Sequence, residues 1–88
     1  MDVFIKVAPR QFDRLRSQIS TGSRAHAAID RATRIDHSIE GVVFEGYNIP
    51  CDEDQARIIL EVAKQYCPEI IRDIEEAITL ARSARRPV

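Results

Sequence analysis

The chain is predicted to fold as a helix-dominated α+β domain, four helices with a small two- or three-stranded sheet, in the order β-α-α-β(β)-α-α. Three observations predict it. Residues 3–7 alternate, with Val3, Ile5 and Val7 on one face and Phe4 on the other, as a half-buried strand does. Residues 41–50 are rich in Val, Phe, Tyr and Ile between glycines and a proline, which marks a second strand region. Elsewhere apolar residues recur at helical spacing, and no linker, repeat or low-complexity segment divides residues 1–88, so they read as a single domain.

After the first strand, Pro9 suits the first turn of a helix, where its missing N–H costs nothing, and Phe12, Leu15 and Ile19 carry the helix to about residue 19. Ser20-Thr21-Gly22-Ser23 reads as a turn, with Gly22 free to take positive φ and Ser23 as N-cap. A second helix is predicted over about 24–38. Ala25, Ala28, Ile29, Ala32, Ile35 and Ile39 fall within roughly 120° of arc, and its alanines allow close approach to a neighbour. On that helix Asp30 and Arg34 would pair at i, i+4, worth only about 0.3 kcal/mol.

Residues 42–49 admit two readings, a hairpin turning at Glu45-Gly46 or one extended segment paired with residues 3–7. Either gives a sheet that needs helices over one face. Asp52, with Gln55 three positions on, forms a capping-box pattern that starts the third helix. Its apolar stripe centres on Ala56, Ile59, Leu60, Ala63 and Cys67. Ile58, Val62 and Tyr66 widen it to about 200° of arc, so this helix should touch partners on two sides. Pro68 disfavours helix at Cys67 and opens the fourth, about 69–84, whose face is Ile70, Ile71, Ile74, Ala77, Ile78 and Ala81. Its acidic start (Glu69, Asp73) and basic end (Arg82, Arg85, Arg86) suit the helix dipole, and it should fold back antiparallel on the third.

A domain this small buries only about 60–65% of its unfolded surface, which leaves little margin. Two cysteines make no disulfide framework, and there is no four-ligand Cys/His cluster for structural zinc. Good helix packing or self-association must supply the rest. The amino terminus has no signal-peptide pattern and there is no run of about 18 apolar residues, so an unprocessed cytoplasmic protein with no membrane attachment is expected. Net charge is −1 but uneven: residues 1–35 carry 7 − 3 = +4 and residues 45–76 carry 3 − 9 = −6. Such polarity can steer association.

The candidate chemistry is quickly narrowed. With 53–66 helical, Cys51 and Cys67 stand roughly 21 Å apart at 1.5 Å per residue, too far for a disulfide. Asp52, Glu53 and Asp54 oppose a Cys51 thiolate, and Cys67 lies in the apolar stripe. The run Ala63-x-x-Tyr66-Cys67-Pro68 resembles the helix that bears the second cysteine of OsmC-type peroxidases. The resemblance covers those few residues only, Cys51 is misplaced for the pair, and no activity is carried over. On the predicted second helix His26 and His37 would share a polar side, about 16 Å apart, too far to share one ion. Asp52-Glu53-Asp54 lacks EF-hand spacing, and no glycine pattern cradles phosphate.

No catalytic, cofactor or metal site is therefore predicted. The expected function is a non-catalytic protein-interaction or regulatory accessory module that binds itself as a homodimer, or another protein, through Ile58, Val62 and Tyr66. The alternative is a DNA-binding regulator. Residues 10–38 have the outline of a helix-turn-helix, whose second helix would present Arg24, Arg31 and Arg34 to nucleic acid. Against it, Gln18 stands where a small apolar residue packs, and the sequence pI of 6.1 is not basic.

Overall fold

The alternation at the amino terminus makes a strand. In the computed structural model, which describes residues 3–85 without the side chains of 37–39, 42–44, 84 and 85, β1 spans Val3–Val7. Val3, Ile5 and Val7 are buried, whereas Phe4 and Lys6 are exposed, so one face of the sheet is covered and the other open. Helix α1 (Pro9–Gln18) follows, with Pro9 in its first turn. Gln11 Oε1 accepts from the Ala8 N–H at 2.9 Å, one half of a capping box, whereas Ala8 has no side-chain oxygen to supply the other half. Gly22 adopts φ +87°, and Ser23 caps α2 (Arg24–Asp30), its hydroxyl accepting from the His26 N–H at 3.2 Å.

The second helix is shorter than predicted. It ends at Asp30, and residues Thr33–Ile39 form strand β2 instead of continuing to residue 38. Thr33, Ile35, His37 and Ile39 also alternate with Arg34, Asp36 and Ser38, so the segment satisfies strand periodicity as well as helical. What decides is β3 (Val42–Cys51), ten residues long. β1 pairs with its residues 47–51 alone, and β2 supplies partners for residues 42–48. Without β2 the first half of β3 would have no strand beside it. Arg34 therefore lies opposite Tyr47 on β2, and Asp30 pairs with His26 instead of Arg34.

The sheet is antiparallel throughout, in the order β1-β3-β2. Its hairpin turns at Glu40-Gly41, where φ is +52° and +81°, the pattern of a type I′ turn. Residues 42–51 are thus one extended segment, and Glu45-Gly46 lies inside it.

The Asp52 capping box forms as predicted: its carboxylate accepts from the Gln55 N–H at 2.7 Å, and Gln55 Oε1 accepts from the Asp52 N–H at 2.9 Å. It opens α3 (Glu53–Tyr66). Cys67 leaves the helical region (φ −142°, ψ 58°) ahead of Pro68, and a short 3-10 turn, Pro68–Ile70, leads into α4 (Ile71–Arg85). Glu53 at the start of α3 meets Arg82 near the end of α4 at 2.6 Å, which fixes the two helices as antiparallel. Arg86, expected at the basic end, lies outside the described residues.

The four helices form one layer over the covered face of the sheet, and the shortest dimension of 22 Å is that of two layers. One core unites Val3, Ile5, Val7, Ile49 and Cys51 of the sheet with Phe12, Leu15, Ala25, Ala28, Ile29, Ile59, Ile70 and Ile74 of the helices.

Gln55 is buried, and it reaches beyond its own helix. Its Nε2 donates to the Arg24 carbonyl at 2.8 Å, and Arg31 Nη2 donates to its Oε1 at 3.3 Å. Gln55→Leu should cost about 2–3 kcal/mol in urea unfolding, since the Asp52 N–H and the Arg24 carbonyl lose their partner at a buried site. Glu40→Asn, by contrast, should stabilise by about 0.5–1 kcal/mol, because Asn tolerates positive φ better than Glu.

Candidate functional site

The three residues expected at an interface lie on one edge of α3, separated by four and four positions. Ile58 is 40% exposed and Tyr66 41%, with Val62 between them partly buried against the core. Val62 is seven residues from Gln55 and so on the same side of the helix, the side that meets α2. Arg14 of α1 donates to the Tyr66 carbonyl at 3.1 Å. The strip therefore runs along the border between α3 and the α1–α2 pair. Among the described residues two other large apolar side chains are exposed elsewhere, Phe4 (53%) on the open sheet face and Leu80 (70%) on the outer face of α4.

The three arginines of the DNA-binding alternative are not presented by one helix. Arg24 begins α2 and pairs with Asp54 of α3 at 3.5 Å, Arg31 follows the helix and bonds to Gln55, and Arg34 belongs to β2. The proposed recognition helix is only seven residues long, because β2 claims its second half as a strand. Arg24 and Arg31 both turn towards α3.

Both cysteines are free and buried. Cys51 is the last residue of β3, and its thiol donates to the Val3 carbonyl of the adjacent strand at 3.4 Å. Burial, reinforced by the Asp52 carboxylate and opposed by Arg31, pushes this thiol up to about 12. Cys67, at the end of α3, is likewise pushed up, by burial first and then by Glu69, with Arg14 opposing. The arrangement suits inert structural thiols, since only the thiolate is nucleophilic.

His26 and His37 do not share a helix. His26 is on α2, His37 is on β2, and the side chain of His37 is outside the described residues. Among the described residues no three His, Cys, Asp or Glu side chains are grouped so as to hold a metal ion. His26 instead pairs with Asp30, Nδ1 to Oδ2 at 3.3 Å. It lines a cleft between α1 and α2 together with Phe12, Arg16, Thr21, Ile29 and Asp30. The sequence marks this cleft only faintly. The i, i+4 spacing of His26 and Asp30 was available as a signal, but only the packing of α1 on β3 brings Phe12 and Arg16 opposite them.

No helix among the described residues is long and apolar enough to cross a membrane. No family model matches the chain, and neither the curated proteins nor the solved structures contain a significant match.

At pH 7 neither thiol should be alkylated faster than a free cysteine, and full reaction should require denaturant. Because the folded state holds the Cys51 proton more tightly than the unfolded chain, stability should be complete below pH about 9. It should then fall as the pH rises from about 9 towards about 12, a loss that Cys51→Ala diminishes. Urea midpoints measured across that range check this.

Proposed function

We propose that this protein is a non-catalytic interaction module that self-associates through the Ile58–Val62–Tyr66 edge of α3. The observation that carries the reading is the two-fifths exposure of Ile58 and Tyr66 on either side of Val62. At four-residue spacing they make a continuous apolar strip roughly 12 Å long. A two-fold pairing would lay each strip against its copy, so that every residue meets the same patch. The free, buried thiols fit a reducing compartment such as the cytoplasm.

Size supports the same reading. The core is a single layer of helices on a three-stranded sheet, and covering two exposed apolar side chains per copy adds to a small margin. A regulatory or accessory role follows from such an assembly, with the state of association as the variable.

Sedimentation equilibrium over a concentration series should show a dimer mass that Ile58→Asp shifts to monomer, weakening association by about tenfold or more. The variant should keep its helical circular dichroism, because position 58 lies outside the core. A strict monomer for the parent chain, or an Ile58→Asp chain that associates as before, would sink the proposal.

A further inference from the structure

The sheet ends on two outer strands, and only one of them is attended by a helix. β1 is five residues long and has α4 packed against it. β2 runs for seven residues, and among the described residues no helix packs along it. Its outer edge is therefore a row of backbone groups with no strand beside them, and it contains neither proline nor lysine, the residues that commonly deter pairing at an edge.

The hairpin decides which of these groups point outwards. Across a two-residue turn the flanking residues, here Ile39 and Val42, form a hydrogen-bonded pair, and the pattern alternates from there. Ile35 accordingly turns its N–H and C=O towards β3, whereas Arg34 and Asp36 turn theirs outwards. The side chains of Arg34 and Asp36 share one face of the strand, both are exposed, and neither has an ion pair among the described residues. Asp36 lies directly opposite Glu45 of β3, an unfavourable juxtaposition of like charges.

We propose that the β2 edge pairs antiparallel with the β2 edge of a second copy, about a two-fold axis at Ile35. In that register Arg34 of each copy stands opposite Asp36 of the other, so both cross-strand pairs are of opposite charge. These are the same residues whose backbone groups point outwards, and the two pairs supply roughly four hydrogen bonds between the chains. Each incoming guanidinium meets a carboxylate that Glu45 crowds from the other side. Ile35, half-buried in one copy, packs on its counterpart at the axis. The neighbouring two-fold registers are disfavoured by charge, because they set Arg34 against Arg34 or Asp36 against Asp36. This contact is independent of the α3 strip, with which β2 shares no residue. Few hydrogen bonds and exposed ion pairs make it weak, so it forms at concentrations above those that pair the α3 edges and carries association beyond a dimer.

The test is backbone amide exchange of the isotope-labelled full chain, read by nuclear magnetic resonance at about 50 μM and about 1 mM. Exchange at Arg34 and Asp36 should slow about twofold or more at the higher concentration, while Ile35, already bonded to β3, should not change. Arg34→Glu should remove that dependence by weakening the pairing about tenfold or more, and combining it with Asp36→Arg should restore it. Asp36→Arg alone should raise the urea midpoint, by relieving Glu45, and still lose the pairing. Ile58→Asp should keep it, so failure of the α3 contact and failure of this one are read separately. Equal exchange at both concentrations, either single β2 variant pairing like the parent, a double variant left unprotected, or loss of the effect in Ile58→Asp would each overturn the proposal.

Discussion

The buried amide of Gln55 is the constraint on which the helical layer depends. Among the described residues it is the one buried polar side chain, and a buried amide is tolerated only with its donors and acceptor met. Here Oε1 closes the cap of α3 and also receives Arg31, while Nε2 holds the Arg24 carbonyl. One side chain thereby joins the start of α3 to both ends of α2. A seven-residue helix has no stability of its own in water, so α2 persists because it is held at both ends and packs Ala25, Ala28 and Ile29 into the core. Glutamate could not substitute: it would lose the donor and direct negative charge at the Arg24 carbonyl.

Much of the fold was legible because the deciding signals are local. Asp52 with Gln55, Pro68 after Cys67, Gly22 before Ser23 and the alternation of residues 3–7 each fix a boundary by the chemistry of adjacent residues. The segment 31–41 was not legible for the opposite reason. Ile35 and Ile39 are four apart and two strand periods apart, so both templates accept them. The choice was made by pairing with β3, a partner several residues further on. The turn illustrates the same point. The chain has two Glu-Gly dipeptides, at 40–41 and 45–46, and local turn chemistry cannot rank them. Turning at 40–41 leaves β3 long enough to pair with β1 and β2 together; turning at 45–46 would cut it in half.

The candidate site divides in the same way. The broad stripe of α3 was visible, together with the conclusion that it meets partners on two sides. Most of those partners proved to be in the chain itself. Glu53 and Leu60, seven apart, lie on the side that meets α4, whereas Gln55 and Val62 lie on the side that meets α2 and α1. Only Ile58 and Tyr66, at the margin, retain substantial exposure. Inertness of Cys51 was also foreseen, but from its acidic neighbours. Burial under the helical layer is the larger cause and Asp52 the lesser, because desolvation acts on the thiolate from every side.

Charge completes the contrast between the two halves of the chain. Arg14 with Glu69 and Arg24 with Asp54 join the basic half to the acidic half within one molecule. Both pairs are more than half-exposed or close to it, so each contributes little to stability, about 0–1 kcal/mol. Their larger effect is to remove those charges from any role in attracting a second copy. The cations left without an ion pair among the described residues include Arg10, Arg16 and Arg34, on α1 and β2. If two copies met at the apolar edge of α3 as proposed, that contact would rest on burial more than on steering, since the edge itself is apolar.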